Sequence, residues 1–227
     1  NVSFHYAGPD SPRVLHQVNL DIPEGKTTAI VGTSGSGKTT LIKLLLKFYP
    51  PTKGQVYVSQ PPLSFIQNAQ WRQKCGVVKQ DGIMIHATIA YNIALEEEID
   101  KKKLLRAVQI ANIQAHIESL PLGYNTKIGE EGVGLRAGQK QRLLIARAVY
   151  KDPEYLFFDE ATNALDASNE RIIMENMEAF FHGKTVVVVA HRLSTVKHAD
   201  QIVVLEKGEI VERGTHQDLV DLQGAYF

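Results

Sequence analysis

The sequence predicts an α/β fold built on a largely parallel sheet. Three observations predict it. Short β-favouring runs alternate with segments of helical periodicity. Two of the runs, "YLFF" at 155–158 and "TVVVVA" at 185–190, are apolar without alternation, as strands covered on both faces are. And a glycine-rich stretch, "GTSGSGKTT", stands between a strand-like run and a helix-like one.

Along the chain, 14–22 alternates: Val14, His16, Val18, Leu20 and Ile22 on one side, Leu15, Gln17, Asn19 and Asp21 on the other. This predicts a half-buried strand. "TTAIV" at 27–31 is a second strand. From Thr39 the pattern is helical, with Leu41, Leu45 and Phe48 on one face and Pro50-Pro51 as its stop. "QVYV" and "CGVV" predict further strands. Residues 83–150 read as mostly helical: Leu104, Val108 and Ala111 recur at helical spacing, as do Ile113, His116 and Ile117. "DKKK" at 100–103 reads as a solvated helix start, and "QIVVLEKGEIVERG" as a hairpin turning at Lys207-Gly208.

Composition narrows the function. Lys plus Arg (25) balances Asp plus Glu (25), so net charge argues for neither nucleic acid nor an anionic membrane as a bulk partner. The lone Cys75 excludes an intramolecular disulfide and fits a reducing compartment. No apolar run approaches the roughly 20 residues that span a bilayer, and no basic-then-apolar leader opens the chain. The chain reads as soluble, or as a soluble piece of a larger protein; its start in a strand-like run favours an excised domain.

The stretch "GTSGSGKTT" fits G-x-x-x-x-G-K-[ST] at Gly32, Gly37, Lys38 and Thr39, in a strand–loop–helix setting. Glycines let backbone N–H groups converge on an anion, and the helix start adds its positive dipole end. Lys38 is placed to reach β- and γ-phosphates, and Thr39 to ligate Mg²⁺. "YLFFDE" then sets Asp159 and Glu160 at the carboxyl end of a buried strand, where ligands of open α/β sheets bind. Alone, the pair would be ordinary strand-end acids. Beside a phosphate loop, Asp159 becomes a candidate Mg²⁺ ligand and Glu160 a candidate general base for water. His191, at the end of "TVVVVA", could reach a γ-phosphate. Trp71 has no motif role and reads as helix packing.

Taken in order, these residues resemble, over nearly the whole chain, the nucleotide-binding domain of ATP-binding cassette (ABC) transporters, most closely the exporter type. The resemblance implies a P-loop NTPase core with a mixed, mainly parallel sheet, an antiparallel β subdomain and an inserted helical subdomain. The expected division is 1–82 and 151–227 for the catalytic core and 83–150 for the helical part. It implies that ATP is bound by Tyr6, stacking on adenine, and by Gly32, Thr33, Ser34, Gly35, Ser36, Gly37, Lys38, Thr39 and Thr40 of the Walker A loop. Gln80 in "VVKQD" matches the Q-loop glutamine. Asp159 and Glu160 form Walker B with its catalytic glutamate, and His191 in "AHRLST" is the switch histidine. Thr39, Gln80 and Asp159 would hold Mg²⁺, while Glu160, His191, Lys38 and Gln80 would serve hydrolysis.

The resemblance also implies that two such domains sandwich two ATP molecules. Leu135, Arg136, Ala137, Gly138 and Gln139 stand at the signature position, and Asp166 in "NALDA" matches the D-loop acid; both would face the partner's ATP. The family's usual signature reads Leu-Ser-Gly-Gly-Gln, so Arg136 replaces a compact hydroxyl and Ala137 a glycine. The helix expected after it is 139–150. Arg136 could swing aside, pair with phosphate, or block closure. A homodimer is the preferred reading, with a heterodimer of one competent and one degenerate site as the alternative. "TKIGEEG" at 126–132 resembles the segment that exporters press on the coupling helices of a transmembrane domain, through Glu130 or Glu131. The implied setting is the cytoplasmic face of a bacterial inner membrane. The implied work is export of a peptide, lipid or drug, with a leader-cleaving peptide exporter as the favoured subtype. A regulatory ATP-binding module with little turnover is the competing function.

Overall fold

The computed structural model describes residues 1–7, 11–129, 132, 134–190 and 196–226. At its centre is a six-stranded sheet. The strands are β3 (Thr27–Val31), β4 (Cys75–Lys79), β7 (Tyr155–Asp159), β8 (Thr185–Val189), β9 (Gln201–Glu206) and β10 (Glu209–Gly214), in the order β10-β9-β3-β8-β7-β4. All neighbours pair in parallel except β10, which folds back on β9 through Lys207 (φ 46°) and Gly208 (φ 83°). The expected hairpin turn is therefore in place.

The apolar runs fill both faces. Leu156, Phe158, Val186, Val188, Ile202 and Val204 pack into one core, and Phe157, Val187, Val189, Ile30 and Leu205 into the other. Successive residues of a strand point to opposite sides, so an unbroken apolar run supplies two cores at once. The first core is closed by α3 (Ile89–Ala94), α4 (Lys101–Ile110), α5 (Gln114–Glu118), α6 (Ala137–Lys151) and α7 (Ala167–Phe181). The second is closed by α1 (Lys38–Leu45), α2 (Asn68–Lys74) and the antiparallel pair β1 (Val2–Phe4) and β2 (Leu15–Val18). A small pair, β5 (Ala87–Thr88) with β6 (Lys127–Ile128), sits in the helical stretch, and α8 (His216–Leu222) follows β10.

Local signals explain the boundaries. Asp100 caps α4 by accepting from the N–H groups of Lys102 (2.8 Å) and Lys103 (3.1 Å), so "DKKK" is the solvated helix start expected. Trp71 is core packing: its ring lies 4.9 Å from Tyr155, and Nε1 donates to the carbonyl of Leu45 at 2.9 Å, near the end of α1. Burial pushes the Cys75 thiol up to about 12, which makes it an inert core residue.

Three expectations are corrected. In 14–22 the phase is reversed at its start: Leu15 is buried and His16 only half-buried, and Gln17, at φ 43°, resets the alternation so that Val18 is buried too. "QVYV" forms no strand; Tyr57 makes only an isolated bridge to Pro62 and remains exposed. The first helix stops at Leu45 rather than before Pro50, because Lys47 turns left-handed (φ 58°) and Phe48 N–H closes back on the Lys43 carbonyl at 2.9 Å.

Candidate nucleotide site

The candidate site lies at the carboxyl ends of β3, β4, β7 and β8. The loop 32–37 leaves β3 and turns straight into α1. Gly32 (φ 146°) and Gly37 (φ 107°) are both required by space: a Cβ on Gly32 would lie 2.0 Å from the Leu205 carbonyl oxygen, and one on Gly37 would lie 2.8 Å from Leu15 Cδ2. Gly35 (φ 79°) is different, since a Cβ there meets nothing within 4 Å. The loop is pinned from outside by Gly208 N–H donating to the Ser36 carbonyl at 2.9 Å. Ser36 Oγ is buried and has no hydrogen-bond partner among the described residues. An orphaned hydroxyl inside a glycine-lined loop suits a ligand rich in acceptors.

Lys38 is buried, and its Nζ donates to the carbonyls of Gly32 and Thr33, both at 2.8 Å. Burial lowers its pKa, opposed by the charges of Glu160 and Asp159. The ammonium thus sits between the loop and the acidic pair. Thr39 Oγ1 donates to Asp159 Oδ1 at 3.1 Å, across 120 positions of chain. Burial raises the Asp159 carboxyl, while the Thr39 bond and the nearby Lys79 and Lys43 pull it down. Residues 79 and 159 are paired in register, so Gln80 projects one position beyond that pair and is exposed.

This donor set suits Mg²⁺. A hydroxyl and a carboxylate offer hard oxygen ligands, and the ion commonly takes one or two protein carboxylates and completes its shell with phosphate and water. Among the described residues no group of three or more His, Cys, Asp or Glu could hold a metal alone.

Glu160 follows β7 in a left-handed conformation (φ 54°), its N–H donating to the Val189 carbonyl at 3.1 Å. Its Oε2 accepts from Asn163 Nδ2 at 3.0 Å. Tyr6 is about half exposed, with its hydroxyl 2.9 Å from Thr40 Oγ1 and its ring held edge-on by Phe4 and Tyr49. The first turn of α1 therefore fixes the ring beside the phosphate loop. His191 and the pair Glu130 and Glu131 lie outside the described residues.

The signature residues are assembled elsewhere on the chain. The helix starts at Ala137, two positions earlier than expected, because Gln139 Oε1 folds back to accept from Arg136 N–H at 2.9 Å. Arg136 is the exposed N-cap, and a guanidinium has no acceptor with which to cap. The N–H groups of Ala137, Gly138 and Gln139 occupy the orphan positions of a helix start; Leu135 is half-buried just before them. A Cβ on Gly138 would lie 3.3 Å from the Ala164 carbonyl oxygen, so the turn 160–166 packs against this helix start. Asp166 caps α7: Oδ1 accepts from Asn169 N–H at 3.0 Å and Oδ2 from Asn169 Nδ2 at 2.7 Å. These bonds hold its carboxyl below the ordinary range. Asn169 in turn accepts from Asn112 Nδ2 at 3.0 Å, and the Asn112 carbonyl accepts from Arg142 of α6 at 2.7 Å. Sequence reading did not single out Lys43, Lys79, Asn112 or Asn163. Only Asn163, three residues after Glu160 in a turn, carried a local signal.

The family model described as "ABC transporter" matches residues 15–163, which contain the phosphate loop, the signature position and the acidic pair. The chain belongs to the ABC transporter family. Membership implies ATP binding and the ATPase chemistry of that family. Two curated members give the context. The chain is 48% identical over 221 residues to the leukotoxin translocation ATP-binding protein LktB of Mannheimia glucosida, covering 97% of this chain and 31% of that protein. It is 47% identical over 228 residues to the leukotoxin export ATP-binding protein LtxB of Aggregatibacter actinomycetemcomitans, covering 100% of this chain and 32% of that one. The chain therefore spans about a third of the length of these relatives. Among solved structures, a bacterial Atm1-family ABC exporter with ATP bound matches the whole chain at 38% identity and a TM-score of 0.94, over 40% of that structure's chain. No helix among the described residues is long and apolar enough to cross a membrane.

Proposed function

We propose that this domain binds Mg²⁺-ATP, closes on a second nucleotide-binding domain around it, and hydrolyses it to power export through a transmembrane domain. The observation that carries the reading is the convergence of Lys38, Thr39, Asp159 and Glu160 at one edge of the sheet, with Thr39 and Asp159 in contact. Thr39 and Asp159 would hold Mg²⁺, with Gln80 at its rim; bound there, the ion would neutralise phosphate charge as it develops. Lys38 leaves its two loop carbonyls for the β- and γ-phosphates, Tyr6 stacks on the base, and loop N–H groups from Gly32 to Thr40 cradle the phosphates. Glu160 orients the attacking water, and His191 completes the cage around the γ-phosphate.

The signature residues 135–139 and Asp166 would meet the partner's nucleotide. Residues 83–150 would act as a helical subdomain that carries the signature and meets the coupling helices, with Glu130 or Glu131 and the exposed Ile83 as contacts. The names of the curated relatives, which are toxin translocation and export ATP-binding proteins, favour a toxin as cargo; the cytoplasmic face of a bacterial inner membrane is the proposed setting. A homodimer remains the preferred assembly.

Calorimetry and steady-state hydrolysis test the reading. Mg²⁺-dependent ATP binding should be lost in Lys38→Ala. Binding should survive in Glu160→Gln while turnover falls by about 10²–10³ or more. The altered signature, with Arg136 and Ala137, motivates one alternative, a regulatory module that binds ATP and dimerises with little turnover. Tight binding without hydrolysis, even in the presence of membrane domain and partner, would establish that module instead.

A further inference from the structure

We infer that Asn163 is the positioning residue for Glu160: its side-chain amide sets the direction of the carboxylate that addresses water. The inference rests on the reading of Glu160 given above. A glutamate side chain has three rotatable bonds, and a water-orienting carboxylate must be held to a fraction of an ångström. The backbone fixes the point from which that side chain starts. Glu160 sits at φ 54°, a left-handed conformation unfavourable for a non-glycine residue. It is held there by its N–H bond to Val189 at 3.1 Å and by Asn163 N–H donating to its carbonyl at 3.3 Å. Asn163 Nδ2, 3.0 Å from Oε2, then fixes the end of the side chain. One residue thus grips Glu160 at both its backbone and its carboxylate.

The chemistry of the grip matters. An amide N–H to a carboxylate is a charge-assisted bond, stronger than a neutral one. Yet the donor is neutral, so it orients the carboxylate without the ion pair that a lysine or arginine would form. The same turn presents the Ala164 carbonyl to Gly138 at the signature helix start. Asn163 thus lies one residue from the contact between this turn and the signature helix start.

The test is an allelic series at position 163 in the full-length protein, with Glu160→Gln alongside. Asn163→Ala should lower kcat for ATP by about 10–100-fold, the loss of one hydrogen bond to a charged group. KM for ATP and Mg²⁺-ATP affinity should stay within about twofold. Asn163→Ser, which keeps a donor, should recover much of the rate. Asn163→Asp should be at least as impaired as alanine, since it sets a second negative charge against Glu160. Aspartate is the closest isostere of asparagine, so a residue needed only for the shape of the turn would tolerate it best. The order Asn, Ser, Ala, Asp supports the inference; Asp at or near the wild-type rate, or Ala unchanged, overturns it. If Glu160→Gln itself hydrolyses ATP normally, the reading of Glu160 fails and the inference falls with it. If Glu160→Gln is inactive and the Asn163 series is flat, only the inference falls.

Discussion

Thr39 and Asp159, 120 residues apart in the chain, are joined by a 3.1 Å hydrogen bond at the point where the phosphate loop meets the acidic strand end. The bond shields a carboxylate that has little solvent around it, and burial still raises its pKa. A carboxyl whose folded-state pKa lies above its unfolded value favours the fold while protonated. That contribution is lost as pH rises through the folded pKa. At neutral pH without metal, ionised Asp159 is therefore a cost to stability. Asp159→Asn should melt higher than wild type at about pH 7 in chelator, by about 2–4 °C for each kcal/mol relieved. The gap should close as pH falls toward about 4, where free carboxyls protonate. The same variant should lose the stabilisation that Mg²⁺-ATP gives the wild type. Thermal melts across pH, with and without Mg²⁺-ATP, check both halves.

The glycines of the loop divide by the reason for their presence. Gly32→Ala would drive a methyl to 2.0 Å from the Leu205 backbone, so it should cost more than about 3 kcal/mol and impair folding. Gly35→Ala has open space around it and only its positive φ to contend with, so about 1–2 kcal/mol is expected. Chemical denaturation of the two variants should separate them clearly. Equal losses would mean that backbone freedom, not close approach, governs both sites.

This division shows what the sequence could and could not disclose. The phosphate loop, the acidic pair and the double-sided strands were legible because each is a local pattern with one physical meaning. The phase of 14–22 was not, because one left-handed residue, Gln17, resets a period-two pattern without marking it. The start of α6 was misplaced because a side-chain bond from Gln139 to Arg136 N–H recruits two more residues. Lys43 and Lys79 reach the neighbourhood of Asp159 through the tertiary fold and strand register, which no short window contains.

Arg136 stands at a helix N-cap with no atom able to accept a hydrogen bond. Arg136→Ser should restore the missing half of the cap and add about 0.5–1 kcal/mol to stability. Because serine is the residue the family's signature usually carries here, the variant should turn over ATP at or above the wild-type rate. Melting temperature and steady-state hydrolysis report the two effects. A fall in turnover of more than about tenfold, roughly 1.4 kcal/mol, would instead place the guanidinium on phosphate.

Arg147, on the same helix as the signature, is a cation largely removed from water that spends its donors on neutral oxygens. Its Nε donates to the Asn92 carbonyl at 2.7 Å, and its two terminal nitrogens to the Ile83 carbonyl at 3.0 Å and to Asn92 Oδ1 at 3.3 Å. Asn92 Oδ1 in turn accepts from Ile85 N–H at 2.8 Å, and its amide donates to the Ile85 carbonyl at 2.9 Å. The exposed Ile83 and Ile85 are thereby tied to the helix that begins at Ala137. Arg147→Ala strands those acceptors and should cost about 2–4 kcal/mol. Arg147→Lys should not rescue it, because a single ammonium cannot reproduce the planar fork. Hydrogen exchange gives the decisive readout: the Ile85 amide should exchange markedly faster in both variants than amides of the central strand β8. If its protection is unchanged, the segment holds its shape without the arginine, and the tie from exposed surface to signature helix must run through other residues.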